Sequence, residues 1–176
     1  MKKLAIVGLL ALLAVGFFLA GCGTTKTPAQ EAGGNWEATF AAGDPPVNQT
    51  LFNFETSFSV SGSGALVVTN LNFLTAGPCF AASGLGATVG GKWDVTSAPS
   101  DPIAQANVTF TVQGGGNTLS LTGTATGVEN TVTQVASWNS VTGSWALTGN
   151  SNCIGSATAP GGTFKMCPNA TTCTTT

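Results

Sequence analysis

The amino-acid sequence predicts an all-β protein, a single antiparallel up-and-down barrel of about eight strands, with a β-sandwich as the alternative. Three observations support this prediction. From residue 35 onward, apolar and polar residues alternate with a period of two, as they do in half-buried strands. Clusters of Gly, Pro, Asn and Asp separate the alternating runs at short intervals. After residue 34, no stretch shows the 3.6-residue period of an amphipathic helix.

Four strands are predicted in the first half of this domain. They are expected near residues 35–40, 52–60, 65–74 and 88–95. Turn-forming segments such as Gly62-Ser63-Gly64 separate them, because Gly allows the backbone angles that tight turns require. The apolar faces are expected to carry Trp36, Ala38, Phe40, Phe52, Phe54, Phe58, Val60, Val89, Gly91, Trp93 and Val95.

Further strands are predicted in the second half, near residues 107–113, 119–125, 130–138, 141–147 and 163–166. The segment Gly114-Gly115-Gly116-Asn117 is the clearest hairpin signal in the chain, since two-residue hairpin turns need positive φ angles. The strands number eight or nine in total, at the spacing of a small barrel or sandwich.

The composition excludes several classes of function. Only 7% of the residues are charged, the formal net charge is −2, and the chain contains no His, Arg or Tyr. Without His there is no Ser-His-Asp or Cys-His catalytic pair and no imidazole metal ligand. Without a basic patch, nucleic acid is not an expected partner. No motif indicates a cofactor, so none is predicted.

The first 21 residues have the composition of a secretory signal peptide, which is expected to form a helix. Lys2 and Lys3 precede an uncharged apolar run over residues 4–18, and small residues follow it. The run is shorter than the roughly 20 residues that a membrane-spanning helix needs. Cleavage would remove both lysines and leave a more acidic mature chain.

The segment Leu19-Ala20-Gly21-Cys22, directly after the apolar run, resembles the lipobox of bacterial lipoproteins. The resemblance implies that signal peptidase II recognises these four residues and cuts after Gly21. It also implies that Cys22 is linked to diacylglycerol and that its new amino group receives an acyl chain such as palmitate. Membrane lipid is therefore the expected partner of Cys22, because each buried methylene contributes about 0.8 kcal/mol to anchoring. The alternative is a plain secretory signal followed by an ordinary disulfide cysteine.

The same resemblance implies a location. In bacteria with two membranes, an Asp directly after the lipidated Cys retains a lipoprotein at the inner membrane. Gly23 occupies that position here. The expectation is a lipid-anchored protein on the periplasmic or external face of an envelope membrane, with the outer membrane favoured where the host has one.

The four remaining cysteines predict two disulfides in an oxidising compartment. Only five residues separate Cys167 from Cys173, and they include Pro and Asn. The preferred pairing is therefore Cys167 with Cys173 and Cys79 with Cys153, although three connectivities are possible. A four-cysteine zinc site is the alternative.

The chain is accordingly divided into four segments. Residues 1–21 form the signal peptide, and residues 22–34 contain the lipidated Cys and a flexible tether without hydrophobic periodicity. The all-β domain extends over residues 35–166, and a Thr-rich tail follows over residues 167–176.

One short pattern, Gly-x-Trp, occurs three times, ending at Trp36, Trp93 and Trp145. Residues two apart in a strand face the same way, so each Gly leaves bare backbone beside an indole ring. These tryptophans are predicted either to pack the core or to line a ligand pocket. The first copy is similar to the opening strand of the calycins, which comprise the lipocalins and the avidin group. This resemblance implies a barrel that carries a small apolar ligand.

A second resemblance concerns the domain as a whole. Repeated Thr-Gly-Thr and Thr-Gly-Ser-Trp segments and a late Cys resemble small β-rich bacterial lipoproteins, and this likeness implies no activity. The predicted function is therefore a non-enzymatic binding or structural module for an envelope protein or a small apolar ligand. The alternatives are a calycin-like carrier and a hydrolase that uses carboxylates.

The hydrolase would need two acids in one cleft, about 5 to 10 Å apart. Glu37, Glu55 and Asp94 occupy the polar phase of their strands, so they are expected to face solvent together with Asp101. Strand phase does not show which face is inside, so a membrane-spanning barrel with an apolar exterior stays open as an alternative.

Overall fold

The computed structural model describes residues 26–42, 53–74, 79–80, 88–149, 161–168 and 173. Eight antiparallel strands form one nearly closed, barrel-like sheet, and the described helix is about one turn long. The predicted all-β, up-and-down architecture is confirmed. The elements are α1 (Pro28–Glu31), β1 (Gly34–Ala42), β2 (Phe54–Val60), β3 (Leu66–Phe73), β4 (Thr88–Val95), β5 (Ile103–Gly114), β6 (Asn117–Asn130), β7 (Val135–Thr148) and β8 (Gly161–Pro168).

The strands lie in the order β3-β2-β1-β8-β7-β6-β5-β4, so the last strand returns to pair with the first. The two outer strands, β3 and β4, meet at a seam. There an isolated bridge joins Ala65 to Lys92, and the Trp93 N–H donates to the Gly64 carbonyl at 2.7 Å. Because strand directions alternate, α1 and the β2–β3, β4–β5 and β6–β7 connections share one end of the barrel. We call it the helix end.

The apolar side of each strand faces the interior. In β5, buried residues alternate strictly with exposed or half-buried ones, and the outer positions are mainly Thr, Asn and Gln. The same period of two appears in β2 and β6. The buried residues of β5 are Ala104, Ala106, Val108, Phe110 and Val112.

Two strands were predicted over 130–138 and 141–147, and residues 135–138 and 141–147 both belong to the single strand β7. The start of the first prediction is wrong, because residue 130 ends β6 and residues 131–134 form the β6–β7 turn. The β6–β7 register shifts between Thr126 and Gly127, which pair with Ser140 and Trp138. Asn139 is therefore an extra residue in a β-bulge, and it reverses the alternation on either side. In the sequence this reversal looks like a strand break.

The β5–β6 hairpin turns where the sequence predicted. Gly115 and Gly116 have φ angles of 61° and 80°. Two consecutive positive φ angles fit the twist of the flanking strands and favour Gly. The hairpin signal in residues 114–117 is confirmed.

Part of the segment predicted as a flexible tether forms the helix α1. The Thr27 hydroxyl accepts the Gln30 N–H at 3.3 Å, and the Gln30 side chain accepts the Thr27 N–H at 2.9 Å. This capping box, with Pro28 at the first helical position, stabilises the start of the helix. Ala29 and Ala32 are buried against the barrel. The sequence pattern did not predict this helix, because four residues are too few to show a hydrophobic periodicity.

The second and third Gly-x-Trp copies place Gly where backbone segments lie very close together. A Cβ atom on Gly91 would collide with the Thr109 carbonyl and lie 2.9 Å from Leu66 Cδ1. A Cβ atom on Gly143 would collide with the backbone of Thr122 and Gly123. The sheet therefore needs bare backbone at both positions, as the pattern indicated.

Gly91→Ala is expected to lower the free energy of unfolding by about 2 kcal/mol, because strands β4 and β5 must separate to admit the methyl group. Gly90→Ala is the matched control, since a Cβ atom there has no neighbour within 4 Å. Its effect should stay below about 1 kcal/mol. Chemical denaturation of both variants measures the difference. Equal losses would contradict the packing argument.

Candidate interaction surface at the helix end

Three tryptophans cluster inside the helix end of the barrel. The ring centroids of Trp36 and Trp93 lie 5.5 Å apart, and those of Trp93 and Trp138 lie 5.1 Å apart. Phe58 stacks on Trp36 at 6.0 Å. Two of the predicted ligand-lining tryptophans, Trp36 and Trp93, thus meet here as core residues. Trp138 does not belong to a Gly-x-Trp copy. The sequence feature that indicates its burial is its spacing: it follows Ala136 by two residues, so both side chains lie on the same face of the strand.

The helix α1 closes this end through hydrogen bonds to two of these rings. Trp138 Nε1 donates to the Pro28 carbonyl at 2.9 Å, and Trp36 Nε1 donates to the Ala32 carbonyl at 2.9 Å. Both bonds satisfy an indole N–H in a water-poor interior, where an unpaired donor costs free energy. The aromatic cluster therefore fixes the position of the N-terminal segment.

Beside α1, strands β5, β6 and β7 extend beyond their neighbours. The β7–β8 pairing ends at Val141, whereas the β6–β7 pairing continues to Val135. We call residues 103–105 and 127–140 the overhang. At the edge of β7 that β8 leaves uncovered, the Ala136 N–H donates to the Glu31 carboxylate. The helix thus bonds a strand segment that β8 does not reach.

The outer surface of the overhang carries an apolar patch among polar residues. Six large apolar side chains are exposed among the described residues, and four of them belong to the overhang. Ile103 and Val128 are direct partners across β5 and β6, with 56% and 57% of their surface exposed. Val135 is also exposed, and Val132, at the tip of the β6–β7 turn, is 90% exposed. The sequence pattern did not single out these four residues, because their exposure depends on how far the overhang extends beyond its neighbours.

A shallow pocket of about 270 Å³ lies between α1, the β2–β3 turn and the end of β4. Trp93 lines it, whereas Trp36 and Trp145 do not. Trp93 Nε1 is buried and has no hydrogen-bond partner among the described residues. Of the three predicted ligand-lining tryptophans, Trp93 thus lines this pocket.

The remaining predicted tryptophan, Trp145, lies toward the opposite end of the barrel. Its Nε1 donates to the Ala41 carbonyl at 2.8 Å, and Phe40 packs edge-on against its ring at 6.1 Å. Between the two ends, Phe54 contacts Phe40 at 5.7 Å and stacks on Phe110 at 5.5 Å. Aromatic rings therefore fill the middle of the barrel. Phe52, also predicted on an apolar face, lies outside the described residues.

Glu129 is a buried acid that the sequence reading did not single out. It faces the inner side of the overhang, directly opposite Ala136, and is 4% exposed. Within the part of the chain that the structure describes, its Oε1 atom has no hydrogen-bond partner. In the sequence, Glu129 looked like an ordinary polar residue near a strand end.

The four acids weighed for hydrolysis all lie away from the barrel interior. Asp94 forms an ion pair with Lys92 at 2.7 Å, and Asp101 lies in an exposed turn. Glu37 and Glu55 are direct partners on the outer face of β1 and β2, but both are half-buried rather than fully in solvent. Burial, and then the charge of Glu55, raise the pKa of Glu37.

The disulfide between Cys167 and Cys173 is confirmed, with Cα atoms 5.5 Å apart. Cys173 is buried and ties the C-terminal tail to the end of β8. Because these two sulfur atoms are joined to each other, the four-cysteine zinc site is wrong. Cys79 is also disulfide-bonded. Its predicted partner Cys153 lies outside the described residues, so that pairing stays a prediction.

No protein-family model, curated protein or solved structure matches this chain. Cys22 and the rest of the predicted lipobox, Leu19, Ala20 and Gly21, lie outside the described residues. Within the described ranges, no helix is long and apolar enough to cross a membrane. The same residues contain no group of three or more metal-binding side chains.

The paired acids make stability depend on pH. The pKa of Glu37 is raised in the folded state, so the folded protein binds the proton on this carboxyl more tightly than the unfolded chain does. The resulting stabilisation is fully present when the pH is below 4.5, the ordinary pKa of the group, and it is lost as the pH rises through the raised pKa of the folded state. Glu37→Gln should therefore raise the free energy of unfolding at pH 7 by about 0.5 kcal/mol, the scale of a cross-strand pair, with no gain near pH 3.5. Thermal unfolding at both pH values tests this.

Glu55→Gln should give part of the same gain, since it removes the second cause of the shift. Asp101→Asn removes an equal charge from an exposed turn and controls for net charge. A pH-independent change in Glu37→Gln, or an equal gain in Asp101→Asn, would contradict the prediction.

Proposed function

We propose that this protein is a lipid-anchored lipoprotein of the bacterial envelope, held to the membrane through Cys22, and that it acts as a non-enzymatic interaction module. The observation that carries this proposal is the attachment of α1 to the helix end. It fixes the point at which the chain enters the folded domain. The predicted anchor lies only a few residues before that point.

The covalent distance between anchor and domain is short. Thr27 already belongs to the capping box of α1, and five residue steps separate it from Cys22. At most about 17 Å can separate their Cα atoms, because an extended chain spans roughly 3.5 Å per residue. A lipid on Cys22 would therefore hold the helix end of the barrel close to the membrane surface.

The aromatic interior supports a role for the outer surface of the protein. The Phe40–Phe54–Phe110 ring contacts fill the middle of the barrel, and α1 covers one end. Glu37 and Glu55 are the two acids that the structure brings together, and they lie on the outer face of the sheet. Hydrolysis of a glycosidic bond uses two acids that flank the substrate in a cleft.

A second candidate function is the calycin-like carriage of a small apolar ligand. The pocket beside Trp93 favours it, since an aromatic wall at a barrel mouth suits such ligands. Native mass spectrometry of the protein from its own membrane tests this candidate. A bound mass that is lost in Trp93→Ala, but retained in Trp145→Ala at the opposite end, would support the carrier. An unliganded protein would oppose it.

Lipid anchoring is tested by labelling cells with a tagged palmitate. Cys22→Ser should abolish the label, because the thioether cannot form, and should leave a larger, uncleaved product. Cys173→Ser is the matched control: it loses the confirmed disulfide and should retain both the label and the mature size. A labelled Cys22→Ser product of mature size would contradict the proposal.

A further inference from the structure

We propose that the overhang docks on the lipid bilayer, with the β6–β7 turn entering the headgroup region. This inference rests on the proposed lipid anchor and adds a second, non-covalent contact with the same membrane. The apolar residues expected to meet lipid are Ile103, Val128, Val132 and Val135.

The first argument is the chemistry of this surface. The turn Thr131-Val132-Thr133-Gln134 contains no charge, and it presents Val132 with 90% of its surface exposed. Glu129, the single charged residue of the overhang, faces inward and is buried. An exposed apolar turn without charge gains by transfer out of water, as the apolar side of an interfacial membrane anchor does.

The second argument is that the turn is internally hydrogen-bonded. The Asn130 side-chain oxygen accepts the N–H groups of Val132 and Thr133 at 3.0 and 3.1 Å. The Gln134 N–H donates to the Asn130 carbonyl at 2.6 Å. Because these three backbone donors already have partners, the turn can enter a water-poor interface at lower cost.

The third argument is the position of the chain that leads to the predicted anchor. Trp138 and Ala136, both in the overhang, form the hydrogen bonds that hold Pro28 and Glu31. Thr27, at the start of α1, therefore lies at the same end of the barrel as the apolar patch, and its Cα atom is at most about 17 Å from that of a lipidated Cys22. Because the proposed anchor would hold this end of the barrel at the membrane, the occupant we propose is a lipid surface, in preference to a second copy of the chain or another protein.

The charges nearest to this end are compatible with a zwitterionic membrane. Lys26 and Asp101 are exposed, Asp94 is exposed and ion-paired with Lys92, and the carboxylate of the half-buried Glu31 accepts the Ala136 N–H. These few charges of both signs form no patch of a single sign, so neither a cationic nor an anionic surface is strongly selected. Docking is therefore expected to depend little on salt, as burial of apolar surface does.

The test uses the full lipidated chain in phosphatidylcholine vesicles, with and without bromine on the acyl chains. Bromine quenches only indoles that reach the lipid, and the native tryptophans are buried, with exposures of 1% to 7%. Val132→Trp should show at least twofold stronger quenching than Leu74→Trp. Leu74 is the matched control, because it is 49% exposed and follows β3 at the opposite end of the barrel.

Thr131→Trp provides a second probe at the tip, in case one substitution disturbs the turn. Mass spectrometry of the same samples reports the lipid on Cys22. A lipidated protein with equal quenching at residues 74, 131 and 132 would overturn docking while leaving the anchor intact. A blue-shifted but unquenched indole at both tip positions would also overturn it, in favour of a protein partner. Absence of the lipid would overturn the anchor and, with it, the docking.

Discussion

The hydrogen bonds between α1 and the overhang determine how the rest of the molecule is arranged. β7 extends past the last residue of β8 with which it pairs, and a strand edge without a partner is an aggregation hazard. Glu31 and Pro28 supply acceptors to Ala136 and Trp138 there. This capping closes one end of the barrel, completes the aromatic cluster and fixes where the N-terminal chain leaves the domain. A covalent anchor on that chain would then set the orientation of the whole barrel.

The aromatic core and the largely polar surface of the barrel are related. Gly91 and Gly143 bring backbone segments close enough for large rings to occupy the inside. The large apolar side chains of this weakly charged chain are therefore mostly in the core, and Thr, Ser and Asn occupy most outer positions. Against that polar exterior, four exposed apolar residues at one end are an exception. This concentration of exposed apolar residues at the end nearer the predicted anchor supports the proposed contact with lipid.

The sequence predicted features of the fold that depend on a few neighbouring residues. It did not predict features that depend on how distant strands pair. Alternation around Phe110 and consecutive glycines at residues 115–116 encode a strand and a turn within a few residues. The proximity of Glu37 to Glu55 depends on the β1–β2 register, which no local pattern states. The bulge at Asn139 reverses the phase and splits one strand into two apparent ones. The exposure of Val132 depends on how far the overhang extends beyond its neighbours.

Unsatisfied polar atoms point to the same end of the barrel as the apolar patch. Among the described residues, the two buried side-chain atoms without a partner are Trp93 Nε1 and Glu129 Oε1, and both lie near the helix end. Buried polar groups without partners cost free energy, and folds retain such local conflicts chiefly at functional sites. At the opposite end, the indole N–H of Trp145 has a partner, because it donates to the Ala41 carbonyl. Independently of the exposed valines, this asymmetry supports the proposed membrane contact at the helix end.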